Sequence, residues 1–251
     1  MDEVSTEILR CQDEWYSLLG ALEDLQYCSV ALADGNVRRI RLPQEVEPSV
    51  LMKEVKSFLR KKKAKLSELW YWAIHPDFKN KKLEDFLISR DFKFNLEIGM
   101  VLGPRVSLRI DPDVLIEGGE EMTEEWEQVQ KTEYQNDIFV KTQKIPELMK
   151  RKRERFKDPR VEMYVAKLRG KPVGKMTLFT SGETAQIDEV CTLPDFRNKR
   201  VSSTLMATSI DIARLRDVKN IIVVVPDTFK SMEMYKRIGF VKKVELPGYY
   251  L

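Results

Sequence analysis

The stretch Val190-Cys191-Thr192-Leu193-Pro194-Asp195-Phe196-Arg197-Asn198-Lys199-Arg200-Val201-Ser202-Ser203-Thr204-Leu205 restricts the folds open to this chain more than any other segment. It reads as a strand, a turn punctuated by proline, a polar basic loop and the opening of an amphipathic helix. A strand that enters a helix N-terminus through such a loop leaves backbone N–H groups and the positive end of the helix dipole facing the loop. Phosphate suits that setting best, so the element asks for a phosphorylated ligand. The competing reading is a scaffold turn that has lost its ligand.

The flanking sequence alternates strand and helix. Val161–Leu168 and Val173–Thr180 read as a hairpin around Arg169-Gly170-Lys171-Pro172, followed by a strand over Ala185–Thr192. Val201 to Leu215 places Val201, Leu205, Ser209, Ile212 and Ala213 on one helical face. The unbroken β-branched run Ile221–Val225 marks a strand buried on both faces of a mixed sheet. Asp227-Thr228 offers an N-cap to a helix containing Met232, Met234 and Tyr235, and Gly239 ends it before a strand over Phe240–Leu246. Upstream, Val106–Ile110 reads as a first strand, Thr123–Thr132 as a helix with acids in its first turn, and Pro146–Phe156 as a basic helix.

Three ordered segments carry a family likeness. Thr192-Leu193-Pro194-Asp195-Phe196-Arg197 with its small-residue helix start resembles the acyl-CoA loop of the GNAT superfamily of N-acetyltransferases. Tyr164 to Gly174 resembles that family's second and third strands, and Met234-Tyr235-Lys236-Arg237-Ile238-Gly239-Phe240 its late helix end. The resemblance implies a mixed, mostly antiparallel α/β sheet flanked by helices, covering Arg105–Leu251. Arg200 and Ser202 stand where the family prefers glycines. Glycine lets backbone approach pyrophosphate closely; an arginine still offers its N–H and adds charge.

The first part of the chain repeats this grammar imperfectly. Ser49–Lys63 and Leu83–Arg90 read as helices, Leu69–Ile74 and Lys93–Leu102 as strands, and Leu87-Ile88-Ser89-Arg90-Asp91-Phe92 echoes Tyr235 to Phe240. A smaller, degenerate GNAT-like lobe over 1–103 and an acetyltransferase domain over 104–251 follow, divided at Gly103-Pro104.

The resemblance implies a site. The strand end Cys191, Thr192 and Leu193 would hold pantetheine, and Arg197, Asn198, Lys199, Arg200, Val201, Ser202 and Ser203 the pyrophosphate of acetyl-CoA. Tyr235 matches the acid for the departing thiolate, a role that suits a phenol; core packing is its alternative. Gln186 stands where histone-acetylating members carry glutamate, and an amide is no base. Asp188 shares its strand face and Glu189 projects oppositely, so either is the candidate base, with a surface carboxylate as the plain reading. Cys191 is the one candidate nucleophile. The implied reaction is acetyl transfer to a primary amine of a small molecule or peptide. A non-catalytic acyl-CoA-binding or protein-interaction module is the alternative.

Composition limits the rest. The chain has 251 residues, 43% hydrophobic and 33% charged, enough for a substantial core. Its formal charge of +3 is nearly balanced and argues neither for nor against a polyanionic partner. No apolar stretch reaches membrane-spanning length, and the acidic start Met1-Asp2-Glu3 lacks a secretory layout. Cys11, Cys28 and Cys191 are widely spaced and His75 is the sole histidine, so reduced thiols, a cytoplasmic location and no metal site are expected. The basic runs Arg60–Lys65 and Lys150–Arg155 lack interleaved aromatics, so solvated helix faces are expected rather than a nucleic-acid footprint. Trp70, Tyr71 and Trp72 read as core or lobe interface, and His75-Pro76 as a turn. Oligomeric state stays open, a homodimer included.

Overall fold

The computed structural model describes residues 1–18, 20–33, 36–42, 44–64, 71–78, 80–137, 140 and 142–250. Two compact units make up the chain. One gathers Met1–Met100, Val224–Met234 and Lys242–Leu251; the other gathers Val101–Val223 and Tyr235–Val241.

The first unit opens with α1 (Glu3–Ser17), whose start is capped by the Asp2 carboxylate accepting the Ser5 N–H at 2.8 Å. Strands β1 (Ala21–Asp24), β2 (Ser29–Ala33) and β3 (Asn36–Leu42) form an antiparallel meander. Helix α2 (Pro48–Lys62) then crosses to β4 (Tyr71–Ile74), which runs parallel to β3 with Leu42 opposite Ile74. Helix α3 (Lys81–Ile88), capped by Asn80, leads to β5 (Lys93–Leu102). The last strand of the chain, β11 (Phe240–Tyr250), pairs antiparallel with β4. Val30, Ile40, Leu51, Val55, Leu59, Trp72, Leu83 and Leu87 build the core. The expected helices and the Lys93–Leu102 strand are present within a few residues. Lys65, Leu69 and Trp70 lie outside the described residues. Sequence reading did not anticipate α1 or the β1–β3 meander.

The second unit holds β6 (Val114–Gly119), α4 (Glu124–Asn136), α5 (Ile145–Arg155), β7 (Val161–Leu168), β8 (Lys171–Ser181), β9 (Thr184–Thr192), α6 (Val201–Leu215) and β10 (Asn220–Pro226); α7 (Phe229–Ile238) follows β10. Its sheet runs β10-β9-β8-β7-β6, with β9–β10 parallel and the other pairs antiparallel. Arg169 and Gly170 both take positive φ, 51° and 75°, the two-residue turn whose twist suits a tight hairpin. The Trp126 indole on α4 donates to the Met176 carbonyl at 3.2 Å, fixing that helix to β8. Gly174 admits α6 on β8: a Cβ there would lie 2.8 Å from both the Cys191 carbonyl oxygen and Val201 Cγ1.

One element differs from expectation. Val106–Ile110 is not a strand. The first strand of this unit is β6, paired along its length with β7, from Val114 opposite Leu168 to Gly119 opposite Met163. The 106–110 segment instead follows the end of α7: the Ser107 N–H donates to the Ile238 carbonyl at 2.9 Å, and the Gly103 N–H to the Gly239 carbonyl at 2.9 Å.

The order β7-β8-β9-α6-β10-α7-β11 repeats the order β1-β2-β3-α2-β4-α3-β5, each an antiparallel meander, a helix, a parallel strand, a helix and a strand.

Candidate active site

The site lies where β9 ends and α6 begins. Pairing of β9 with β10 runs through Thr184, Ala185 and Gln186. On its other side β9 continues along β8 to Thr192 opposite Gly174, and the Leu193 N–H donates to the Val173 carbonyl at 2.9 Å. That donor is committed to the sheet, and the Leu193 carbonyl accepts the Phe196 N–H at 2.9 Å. A short 3₁₀ turn, Pro194–Phe196, then lifts the chain into the loop.

The loop keeps a glycine-like path without glycines. Asn198 and Arg200 take left-handed conformations at φ 62° and 55°. Such a conformation costs an ordinary residue roughly 1–2 kcal/mol. Arg200 is the N-cap of α6 and makes no side-chain cap hydrogen bond. A left-handed residue followed by right-handed Val201 turns the N–H groups of Arg200, Val201 and Ser202 into one concavity of the kind that holds anions. Arg197, Asn198, Lys199 and Arg200 are exposed, Ser202 and Ser203 half-buried, and Val201 is buried as the first residue of α6. The Thr192 and Ser202 hydroxyls lie 2.7 Å apart and fasten the strand end to the helix start. Lys199 sits over the Phe196 ring at 5.1 Å.

Strand β9 carries a bulge that sequence reading did not see. Lys175 opposes Cys191 and Thr177 opposes Asp188, so Glu189 and Val190 face Met176 alone. Glu189 sits at φ 52°. The Lys175 ammonium, 1% exposed, donates to the Glu189 main-chain carbonyl at 3.1 Å. It lies 3.0 Å from Glu133 Oε2, 3.6 Å from Glu189 Oε2 and 4.9 Å from the centre of the Trp126 ring. In a planar trans amide the N–H is antiparallel to the C=O, so the Val190 N–H is aimed away from that ammonium.

The two candidate carboxylates have opposite surroundings. Glu189 also pairs with Lys152 of α5. Burial acts to raise its carboxyl, but Lys152, Lys175 and Arg155 outweigh burial and hold it at about 2. Asp188 accepts hydrogen bonds from Gln186 Nε2 at 3.0 Å and from the Glu189 N–H at 2.6 Å. Burial and the neighbouring Glu189 charge raise it above the usual carboxylate range. Gln186 and Asp188 thus share one face, as the alternation predicts, and Glu189 takes the other. Lys152, read as part of a solvated run, is instead half-buried against Glu189, and Arg155 of the same run also acts on that carboxylate; Arg151 pairs with Glu147 and Arg153 with Glu127.

Tyr235 on α7 is 7% exposed and meets Phe240 edge-on at 5.7 Å between ring centres. Burial and the Asp188 charge raise its phenol well above the ordinary value, so it stays protonated at neutral pH. Burial pushes the Cys191 thiol up to about 12, which leaves it protonated and unsuited to nucleophilic attack. Among the described residues all three cysteines are free, no cluster of metal-ligating side chains occurs, and no helix is long and apolar enough to cross a membrane.

The model of the acetyltransferase (GNAT) family matches residues 121–240. No curated protein matches the chain. Among solved structures, a functionally unknown conserved protein from Staphylococcus epidermidis ATCC 12228 aligns with a TM-score of 0.65 at 14% identity, over 90% of this chain and 91% of that one. A GCN5-related N-acetyltransferase from Kribbella flavida aligns at 0.64 and 13% identity, over 97% and 94%. A tandem GNAT protein from the clavulanic acid biosynthesis pathway aligns at 0.57 and 11% identity, over 89% and 78%. At these identities the likeness is one of fold. With the matched segment enclosing β9, the loop and Tyr235, residues 121–240 are a domain of the GNAT acetyltransferase family.

Proposed function

We propose that the chain transfers an acetyl group from acetyl-CoA to a primary amine of a small molecule or peptide. The observation that carries this reading is the left-handed Arg200 at the head of α6, which keeps three N–H groups convergent where the family seats a diphosphate. Left-handed non-glycine residues also serve turns and helix ends elsewhere in the chain, so it is the place of Arg200, at a helix N-terminus directly after the β9 loop, that supports a ligand there. Arg197 and Lys199 supply charge beside those donors.

In the proposed reaction Asp188 takes the proton from the attacking ammonium, because its raised pKa makes it the better acceptor of the two carboxylates. The nitrogen forms the bond to the thioester carbonyl, and the Val190 N–H meets the oxygen on which charge gathers. As the carbon–sulfur bond breaks, Tyr235 gives its proton to the thiolate and regains one from the nitrogen, which sheds its second proton as the amide forms. Glu189, fixed between two ammonium groups, serves as their counter-ion.

The lobes proposed over 1–103 and 104–251 divide this work. In the first lobe the N-cap of α2, Glu47, is extended at φ −63° and pairs with Lys82, so this helix start lacks the left-handed turn that Arg200 gives α6. We assign acetyl-CoA to the second lobe, within a cytoplasmic enzyme.

Calorimetric titration of the full chain with acetyl-CoA tests the reading, and no binding at millimolar cofactor ends it. Binding without turnover against an amine panel selects the non-catalytic acyl-CoA-binding module, which the glutamine at 186 favours.

A further inference from the structure

We infer that Lys175 is a positioning residue: its buried ammonium holds the β9 bulge in the shape that aims the Val190 N–H at the reacting carbonyl. The assignment to catalysis rests on the acetyl-transfer reading; the hold on the bulge does not.

A non-glycine residue at φ 52° inside a strand reverts to the extended form unless something retains it. Lys175 does so by two routes from one nitrogen, the Glu189 carbonyl at 3.1 Å and the Glu189 carboxylate at 3.6 Å. Glu133 at 3.0 Å and the Trp126 face at 4.9 Å fix the ammonium itself. The lysine comes from β8, the strand on which the bulge is counted, so clamp and bulge share one ladder. A lysine at 1% exposure in a β-strand is costly, and apolar residues of equal volume fill such positions more cheaply. Its presence is accounted for by the carbonyl it holds.

Glycine provides the test, because it adopts positive φ without a clamp. In full-length protein, Lys175→Met is expected to lower kcat at least tenfold while the Kd for CoA stays within threefold. Adding Glu189→Gly to Lys175→Met also strips Lys152 of its counter-ion and lowers Tm, yet per folded molecule it is expected to recover most of the lost kcat. Amide hydrogen exchange at residues 188–191 of the ligand-free chain provides a readout independent of catalysis. It should quicken at least tenfold in Lys175→Met. Losses that simply add in the double variant, or exchange unchanged in Lys175→Met, overturn the inference. Should Lys175→Met not fold, exchange in Lys175→Gln and Lys175→Gln/Glu189→Gly decides by the same comparison. Wild type that binds no CoA removes the acetyl-transfer reading instead, and the exchange result still stands or falls alone.

Discussion

Asp188 and Glu189 are consecutive on β9 yet are held at opposite ends of the carboxylate range. Glu189 faces the Lys152 and Lys175 ammonium groups and is kept at about 2; Asp188 faces Gln186 and is raised by burial and by Glu189 itself. Strand alternation sends the two adjacent side chains to opposite faces, and the cations Lys152 and Lys175 meet only Glu189. Divergent pKa values in neighbouring groups are how one site separates a proton acceptor from a fixed charge.

The first prediction concerns pH. A base works only when deprotonated, so kcat/KM should fall as pH drops through the raised pKa of Asp188. Asp188→Asn should lower kcat/KM about 100-fold, in line with loss of a general base, and erase that acid limb. The measurement is a pH profile of kcat/KM for both proteins. A limb that persists in the variant assigns the base elsewhere.

Stability carries the opposite signature at Glu189. Its folded pKa lies below the 4.5 of an unperturbed glutamate, so its contribution is present above about 4.5 and is lost as pH falls toward about 2. The gap corresponds to about 3 kcal/mol at neutral pH. Glu189→Gln should therefore destabilise the chain strongly at pH 7, and the difference from wild type should shrink progressively at pH 4 and pH 3. Denaturant unfolding at the three pH values checks this.

Much of this architecture was legible because local signals agreed. The helix expected over Val201–Leu215 is α6, and the hairpin around Arg169-Gly170 has the turn its residues require. Such elements carry their periodicity and punctuation in the sequence itself. The misplaced strand at Val106–Ile110 failed for a non-local reason: its Ser107 N–H is committed to the Ile238 carbonyl, more than 100 positions on. Strand β6 was hidden by its flanks, Pro112 and Gly118-Gly119, which read as loop. The bulge at Glu189 had no signal, since glutamate is not a residue that advertises positive φ. Alternation did reveal that Asp188 and Glu189 point oppositely, but not that Lys152 and Lys175 wait on the Glu189 side.

Gly239 shows how that non-local commitment is enforced. It sits at φ 121°, and a Cβ there would lie 2.1 Å from the Arg105 carbonyl oxygen. Gly239→Ala meets both a backbone conformation closed to alanine and a clash with main chain that cannot rotate away. A loss of about 2–4 kcal/mol is expected, read as a fall in Tm of several degrees. A Tm unchanged within 1 °C would show that the 103–107 segment yields freely.

Arg200 decides whether backbone or side chain holds the ligand. If the convergent N–H groups bind the diphosphate, Arg200→Gly preserves them, because glycine takes φ 55° without cost. Relief of the left-handed strain, roughly 1 kcal/mol, offsets the extra freedom glycine gives the unfolded chain, so Tm should barely move. CoA affinity should then stay within threefold of wild type, with a weaker dependence on salt because one cation is gone. A drop of more than tenfold would mean that the guanidinium does the binding and that the left-handed turn serves to aim it. Calorimetric titration with CoA at two salt concentrations, on wild type and Arg200→Gly, separates the two. The first outcome leaves the loop a working variant of the glycine-rich form, its donors supplied by main chain that needs no particular side chain to be present.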